Sequence, residues 1–257
     1  MRDSSSLART IVAPVVLGIV ALALWQLVVV LLDVKPFVVP SPAAIGQSFG
    51  ANLPTVVQGA LVTGGNALVG LVLGAVVGIV FAIVAALVKV IDELSAAVIA
   101  AIAVVPIVAL APVLYSMFGA NVETGRQLVA AIAVFIPMYL NTLRGLRQVR
   151  PVHRDLMTAY AASPWQTTRY VTLPGALPFL FTGLRIASSL AVISALIAEY
   201  FGGPVGGLGK SITTAASSSN YSLAWAYVLG AILVGLVFYC ATLALERLVT
   251  RRHRPAT

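Results

Sequence analysis

Long apolar runs separated by short polar ones set the rhythm of this chain. Residues 11–32 read IVAPVVLGIVALALWQLVVVLL, with Gln26 as the one polar interruption. About 20 apolar residues suffice to cross a bilayer as a helix. Five further runs follow: one that begins after Pro54 and ends near Val88, then Leu94–Phe118, Gln127–Leu143, Leu177–Phe201 and Leu223–Leu248. The expected fold is therefore an all-α membrane protein with six transmembrane helices. The second run has room for a tilted span plus a short lead-in helix. Pro106 and Pro112 fall inside the third span and Pro137 inside the fourth, where proline frees carbonyls or bends a helix.

Composition agrees with the pattern. The 257 residues are 60% hydrophobic and 9% charged, with a mean hydropathy of +1.02; a soluble domain carries about a quarter charged residues. Lipid is thus an expected partner. Asp3, Arg9 and the length of the first run argue against a cleaved signal peptide. The expected organisation is a segment over 1–10, a six-helix transmembrane domain over 11–248 and a basic tail over 249–257. The lone Cys240 excludes an internal disulfide framework and a cysteine metal cluster.

The charges orient the spans. Arg2, Arg9, Lys89, Arg144, Arg147, Arg150, Arg154, Arg169, Arg247, Arg251, Arg252 and Arg254 fall on the side of the termini. Lys35, Arg126 and Lys210 fall on the other, and Arg185 lies within the fifth span. The positive-inside bias puts both termini in the cytoplasm. The net charge of +8 is then a topology signal, and no basic soluble domain exists to bind nucleic acid.

One polar stretch interrupts the pattern. Residues 160–178, YAASPWQTTRYVTLPGALP, sit in the cytoplasmic connection between spans four and five. The composition predicts a short helix over 155–170, broken at Ser163-Pro164, with Pro174 and Pro178 ending it and starting the next span. Its face is too short and too weakly apolar for a lipid anchor. Ala159, Ala161 and Ala162 keep the surface low, so a soluble protein could approach closely. Trp165 has two readings, an anchor in a partner's pocket or a marker of the headgroup level.

This stretch resembles the cytoplasmic EAA motif of ABC-importer permeases. Asp155 falls at the acidic position, Ala161 at the glycine position, and Val171, Leu173 and Pro174 match the hydrophobic-x-Leu-Pro end; Leu156 and Met157 depart from the two alanines. Further segments resemble the nitrate/sulfonate/taurine-type members in order and spacing: VVPSPAAIGQSF (38–49), VVPIVALAPVLYSMFG (104–119), FIPMYLNTLRGLRQV (135–149), GLRIASSLAVISALIAEYFGG (183–203) and GGLGKSI (206–212). The end of span five is most similar to permeases for thiamine-precursor pyrimidines or riboflavin.

The resemblance implies a permease subunit in a bacterial cytoplasmic membrane, with a coupling helix within 155–173. It implies cytoplasmic ATPase subunits, an extracytoplasmic binding protein and a second permease copy as partners. The solute would be a pyrimidine thiamine precursor or riboflavin-like molecule, otherwise a sulfonate, taurine or nitrate. ATP and magnesium would sit on the ATPase, since this chain has no G-x-x-x-x-G-K-[ST] loop; no cofactor and no metal is expected here. Asp155, Ala159, Ala161, Ala162, Trp165, Leu173 and Pro174 would couple to the ATPase.

Within the membrane, Gly70, Gly74 and Gly78 share a helix face. They serve either packing inside one subunit or contact between subunits. Arg185, Ser188, Ser189, Val192 and Glu199 share a face of span five and are the candidate path lining. Arg185 and Glu199 are about 21 Å apart along the helix and cannot pair. Alternatively, Arg185 snorkels to the headgroups and Glu199 accepts from backbone N–H groups of the glycine-rich loop after it. Tyr115, Ser116 and Asn141 are polar points near membrane boundaries, and His153 and His253 receive no role. A membrane enzyme would need convergent acids, histidines or cysteines, which the pattern lacks. A secondary transporter, or a scaffold without an ATPase partner, is the alternative class. The first lacks midplane acids and an internal repeat, and the second explains none of the motif order.

Overall fold

The computed structural model describes residues 4–202 and 206–251, with side chains over 12–202 and 206–250. Among the described residues, every regular element is helical. The helices are α1 (Ser4–Leu31), α2 (Pro42–Ala51), α3 (Leu53–Leu87), α4 (Lys89–Val104), α5 (Ile107–Phe118), α6 (Thr124–Arg147), α7 (Pro151–Ala159), α8 (Pro164–Thr167), α9 (Leu173–Phe201), α10 (Leu208–Ser217) and α11 (Tyr221–Arg251). A π-helical turn, Thr168–Thr172, joins α8 to α9. Helix α1 crosses the boundary expected at residue 10. Of the expected basic tail, Arg252, His253 and Arg254 lie outside the described residues, as do Arg2 and Asp3 at the other end.

Five helical stretches are long and apolar enough to cross a bilayer, and α4 with α5 makes a sixth if that bent pair is one span. The third span, expected as one proline-containing run over Leu94–Phe118, is a bent pair that starts at Lys89: α4 and α5 meet at 92°. The cause is local. Pro106 has no N–H and disfavours helical backbone in the residue before it, and Val105 and Pro106 are both extended (ψ 121° and 118°). Pro112, Pro137 and Pro178 remain inside helices. The second run is also corrected, since α3 is one 35-residue helix. The lead-in helix is α2, formed by the Pro-Ser-Pro segment. The Ser41 hydroxyl accepts from Ala44 N at 3.2 Å and Pro42 occupies the first turn, the positions both residues favour.

Helices α3, α6 and α9 form the centre. Ala67 and Leu71 of α3, Ala130, Val134 and Met138 of α6, and Ala187, Ala191, Val192 and Ala195 of α9 make one buried cluster. Small side chains dominate it because membrane helices gain most from close approach. Gly70, Gly74 and Gly78 face α6. A Cβ on Gly74 would lie 2.7 Å from Val134 Cβ, and one on Gly78 would lie 2.9 Å from Met138 Cβ. Helix α1 stands outside this core, its apolar side chains exposed. It touches the rest through Trp25, edge-on to Trp225 at 5.9 Å, and Gln26, whose Oε1 accepts from Ala43 N at 3.1 Å.

Gly74→Val is expected to separate α3 from α6 and to cost about 2 kcal/mol or more. Gly18→Val on α1, where a Cβ meets nothing within 4 Å, should be neutral. Thermal unfolding in a mild detergent, read by loss of monodisperse protein, compares the two.

Candidate functional site

Two regions sit at opposite ends of α9. At its N-terminal end is the connection from α6. Arg150 precedes Pro151, which opens α7; the helix closes at Ala159, and no residue of α7 or α8 is buried. The helix expected over 155–170 with a break at Ser163-Pro164 is indeed two helices, α7 and α8, with a turn between them, and the first already starts at Pro151. Ala161 adopts φ 51°, the left-handed region that costs a non-glycine residue about 1–2 kcal/mol. The glycine position of the motif is thus a true left-handed turn, here held by alanine. Ser163 then restarts the helix with a capping box: its hydroxyl accepts from Gln166 N at 3.3 Å, and its N–H donates to Gln166 Oε1 at 2.7 Å.

Leu173-Pro174 does not end this helix. The chain runs helically from Pro164 to Phe201, 38 residues. A proline ring clashes with the carbonyl four residues back, here Tyr170, and the wider π turn lies directly before Pro174. The result presents Tyr160, Trp165 and Tyr170 at 75%, 67% and 66% exposure, with Leu156 and Leu173 also exposed. Asp155, Ala159 and Ala161 are exposed, and Ala162 and Pro174 are half-buried. A groove of about 360 Å³ runs between His153, Leu156 and Met157 on one side and Tyr170, Val171 and Pro174 on the other.

The α9 face picked out by sequence is turned largely into the bundle. Ser188, Val192 and Glu199 are buried, while Ser189 and Arg185 are half-buried. Arg185 forms an ion pair with Glu246 of α11. The Ser188 hydroxyl donates to Arg185 O at 2.8 Å. Asn141 donates to Pro137 O at 2.8 Å, and Ser116 to Val113 O at 2.7 Å, both within their own helices.

Glu199 lies at the centre of the second region. Its Oε2 accepts from Thr63 Oγ1 at 2.7 Å and from Gly209 N at 3.2 Å, and its Oε1 accepts from Asn66 Nδ2 at 3.2 Å. Thr63 Oγ1 in turn accepts from Leu208 N at 2.9 Å. Asn66 Nδ2 also donates to Glu123 Oε2 at 2.7 Å, and Glu123 pairs with Arg126 at 2.9 Å. The Arg126 guanidinium lies 5.6 Å from the Tyr115 ring centre, and Tyr115 donates to Ala198 O at 2.6 Å. Glycine is required beside this cluster, since a Cβ on Gly207 would lie 2.7 Å from Glu199 Oε1 and one on Gly209 would lie 2.8 Å from Glu199 Cβ.

Thr63, Asn66, Glu123 and Arg126 were not singled out as site residues by the sequence reading, and Arg126 was counted only as a loop cation. It is wholly buried. The available signals were Asn66 within an apolar run, Thr63 one turn before it, and Glu123 three residues before Arg126.

Comparison with known proteins adds the following. Residues 74–255 match the family described as binding-protein-dependent transport system inner membrane component. The riboflavin transport system permease protein RibX of Chloroflexus aurantiacus is 36% identical over 232 residues, covering 90% of this chain and 86% of that one. The putative aliphatic sulfonates transport permease protein SsuC of Escherichia coli is 32% identical over 190 residues, covering 73% and 72%. The formylaminopyrimidine transport permease protein ThiX of Halalkalibacterium halodurans is 26% identical over 197 residues, covering 74% and 75%. Among solved structures, a chain of an amino acid ABC transporter shares the fold with a TM-score of 0.61 at 17% identity, covering 80% of this chain and 97% of that one.

Thr63→Val removes a hydroxyl that both donates to Glu199 and accepts from Leu208. It is expected to lower stability by about 2 kcal/mol, the cost of stranding buried polar partners. Thr63→Ser keeps both bonds and should stay near the parent in the same thermal assay.

Proposed function

The chain belongs to the family of binding-protein-dependent transport system inner membrane components, and from that premise we propose how this ABC-importer permease is oriented, driven and loaded. Both termini and residues 151–173 face the cytoplasm, as the positive-inside bias supports. Residues 151–173 dock a separate ATPase subunit, which carries the ATP and magnesium. Asp155, Ala159, Ala161, Ala162, Trp165, Leu173 and Pro174 belong to that docking surface. One observation carries the reading: an exposed aromatic patch, with no buried residue in α7 or α8, continues as an unbroken helix into the centre of the bundle.

Two copies of the chain enclose the path, and lipid or the second copy covers the apolar faces of α1. Ser189 and Arg185, the half-buried members of the α9 face, are the residues of that face that reach toward the path. A binding protein delivers the solute at the side of Lys210. The solute is riboflavin-like or a thiamine-precursor pyrimidine, a reading supported by likeness to the riboflavin and formylaminopyrimidine permeases. Uptake of labelled riboflavin and of labelled pyrimidine by proteoliposomes holding the complete transporter tests the class. Uptake of a sulfonate with neither heterocycle would overturn it.

Docking is tested by co-purification with the ATPase. Trp165→Ala should weaken it by about 2 kcal/mol, as loss of an interface anchor does. Ala161→Arg places bulk and charge at the turn and should abolish it, with the membrane domain still folded. Parent-like binding by both variants would reduce residues 151–173 to a connector.

Orientation has its own test. A cysteine from Arg150→Cys should react with an impermeant maleimide only from the cytoplasmic face, and one from Lys210→Cys only from the opposite face. The reverse pattern would invert the topology.

A further inference from the structure

The polar cluster and the docking surface lie at opposite ends of one helical course. Pro164–Phe201 spans 38 residues without a break, about 57 Å at 1.5 Å per residue. Near its far end, two successive residues of α9 gather three further elements. Glu199 accepts from Thr63 and Asn66 of α3 and from Gly209 of α10, and Ala198 O accepts from Tyr115 of α5. Glu199, Thr63, Asn66 and Tyr115 are all buried. Sliding any one of these elements past α9 would strand a donor or acceptor where no water can replace it. Gly202 adds close packing, because a Cβ there would meet the Tyr115 ring at 2.5 Å. On its other side α5 ends at the extended pair Val105 and Pro106, beyond which α4 leaves at 92°. So α5 is tied to α9 by hydrogen bond and packing, while its link to α4 is a helix break.

We infer that Glu199 is a positioning residue that makes the far ends of α3, α5, α9 and α10 move as one body. A displacement imposed at residues 151–173 travels along α9 to that body, and the bend between α4 and α5 takes up the motion. The source of the displacement rests on the docking reading above; the clamp itself does not.

The experiment has two arms. Glu199→Gln sets an NH2 group among donors, and Tyr115→Phe removes the hydroxyl that donates to Ala198 O while keeping the ring. In nanodiscs without ATPase, backbone amide exchange should rise about tenfold in the first turn of α10 for Glu199→Gln. It should rise about tenfold in the last turn of α5 for Tyr115→Phe, and stay at the parent rate in α7 for both. In proteoliposomes with the complete transporter, both variants should retain ATPase association and basal hydrolysis. Solute taken up per ATP hydrolysed should fall about tenfold. Thr63→Ser, which keeps the hydroxyl, should match the parent in both arms. Unchanged exchange would overturn the clamp. Raised exchange with unchanged uptake per ATP would overturn transmission through it. If Glu199→Gln does not accumulate as folded protein, Tyr115→Phe decides by the same two readings. A parent chain that fails to hold the ATPase would overturn the docking reading and transmission with it, while the exchange arm still decides the clamp.

Discussion

The close approach of α3 to α6 is the constraint on which the rest of the structure depends. Three glycines one turn apart let the α3 backbone lie against Ala130, Val134 and Met138. In a membrane there is little hydrophobic gain from helix association, so close packing and interhelical hydrogen bonds must hold the bundle. Once α3 and α6 meet at this distance, α9 completes the layer with its own alanines. Gly183 against Asn141 and Pro137, and Gly145 against Ala176 and Phe179, repeat the device on the α6–α9 seam.

That packing delivers polar side chains to one place. Thr63 and Asn66 precede the glycine stripe on α3, and Arg126 and Gln127 lie in the first turn of α6, so the register that buries the small residues brings Thr63 and Asn66 to Glu199 and Gln127 to Asn66, at 3.4 Å. Buried polar groups persist only when bonded. Glu199 takes three donors, which suits an acceptor-only carboxylate. Arg126 is held by Glu123, the Tyr115 ring and the carbonyl of Ala120. A second ion pair, Arg185 with Glu246, joins α9 to α11 nearer the other end. Arg147 with Asp92 at 2.6 Å likewise joins α6 to α4.

The end of α9 that carries residues 151–173 is built on the opposite principle. There the chain buries little and spends its local chemistry on shape: proline starts α7 and α8, Ala161 turns left-handed, Ser163 and Gln166 cap, and a π turn precedes Pro174. The aromatic side chains stay outside. The arrangement leaves an exposed surface at the end of a helix that reaches deep into the bundle.

The apolar runs determined five spanning helices, because length and hydropathy are local properties. The ordered motifs determined the family, and Ser41, Pro42, Ser163 and Pro164 determined helix starts through contacts with their immediate neighbours. Which of Pro106, Pro112 and Pro137 breaks a helix was not legible, because all three carry the same local penalty and only the packing around each one settles the outcome. Nor was the fate of Arg126, which sequence places in a loop and the tertiary structure buries under Tyr115. The side-chain partners of Glu199 lie 133 and 136 residues away in the chain. A hydrogen bond of that separation depends on the register of α3 against α9, which the helix sequences allow in several ways and which only the packed bundle selects.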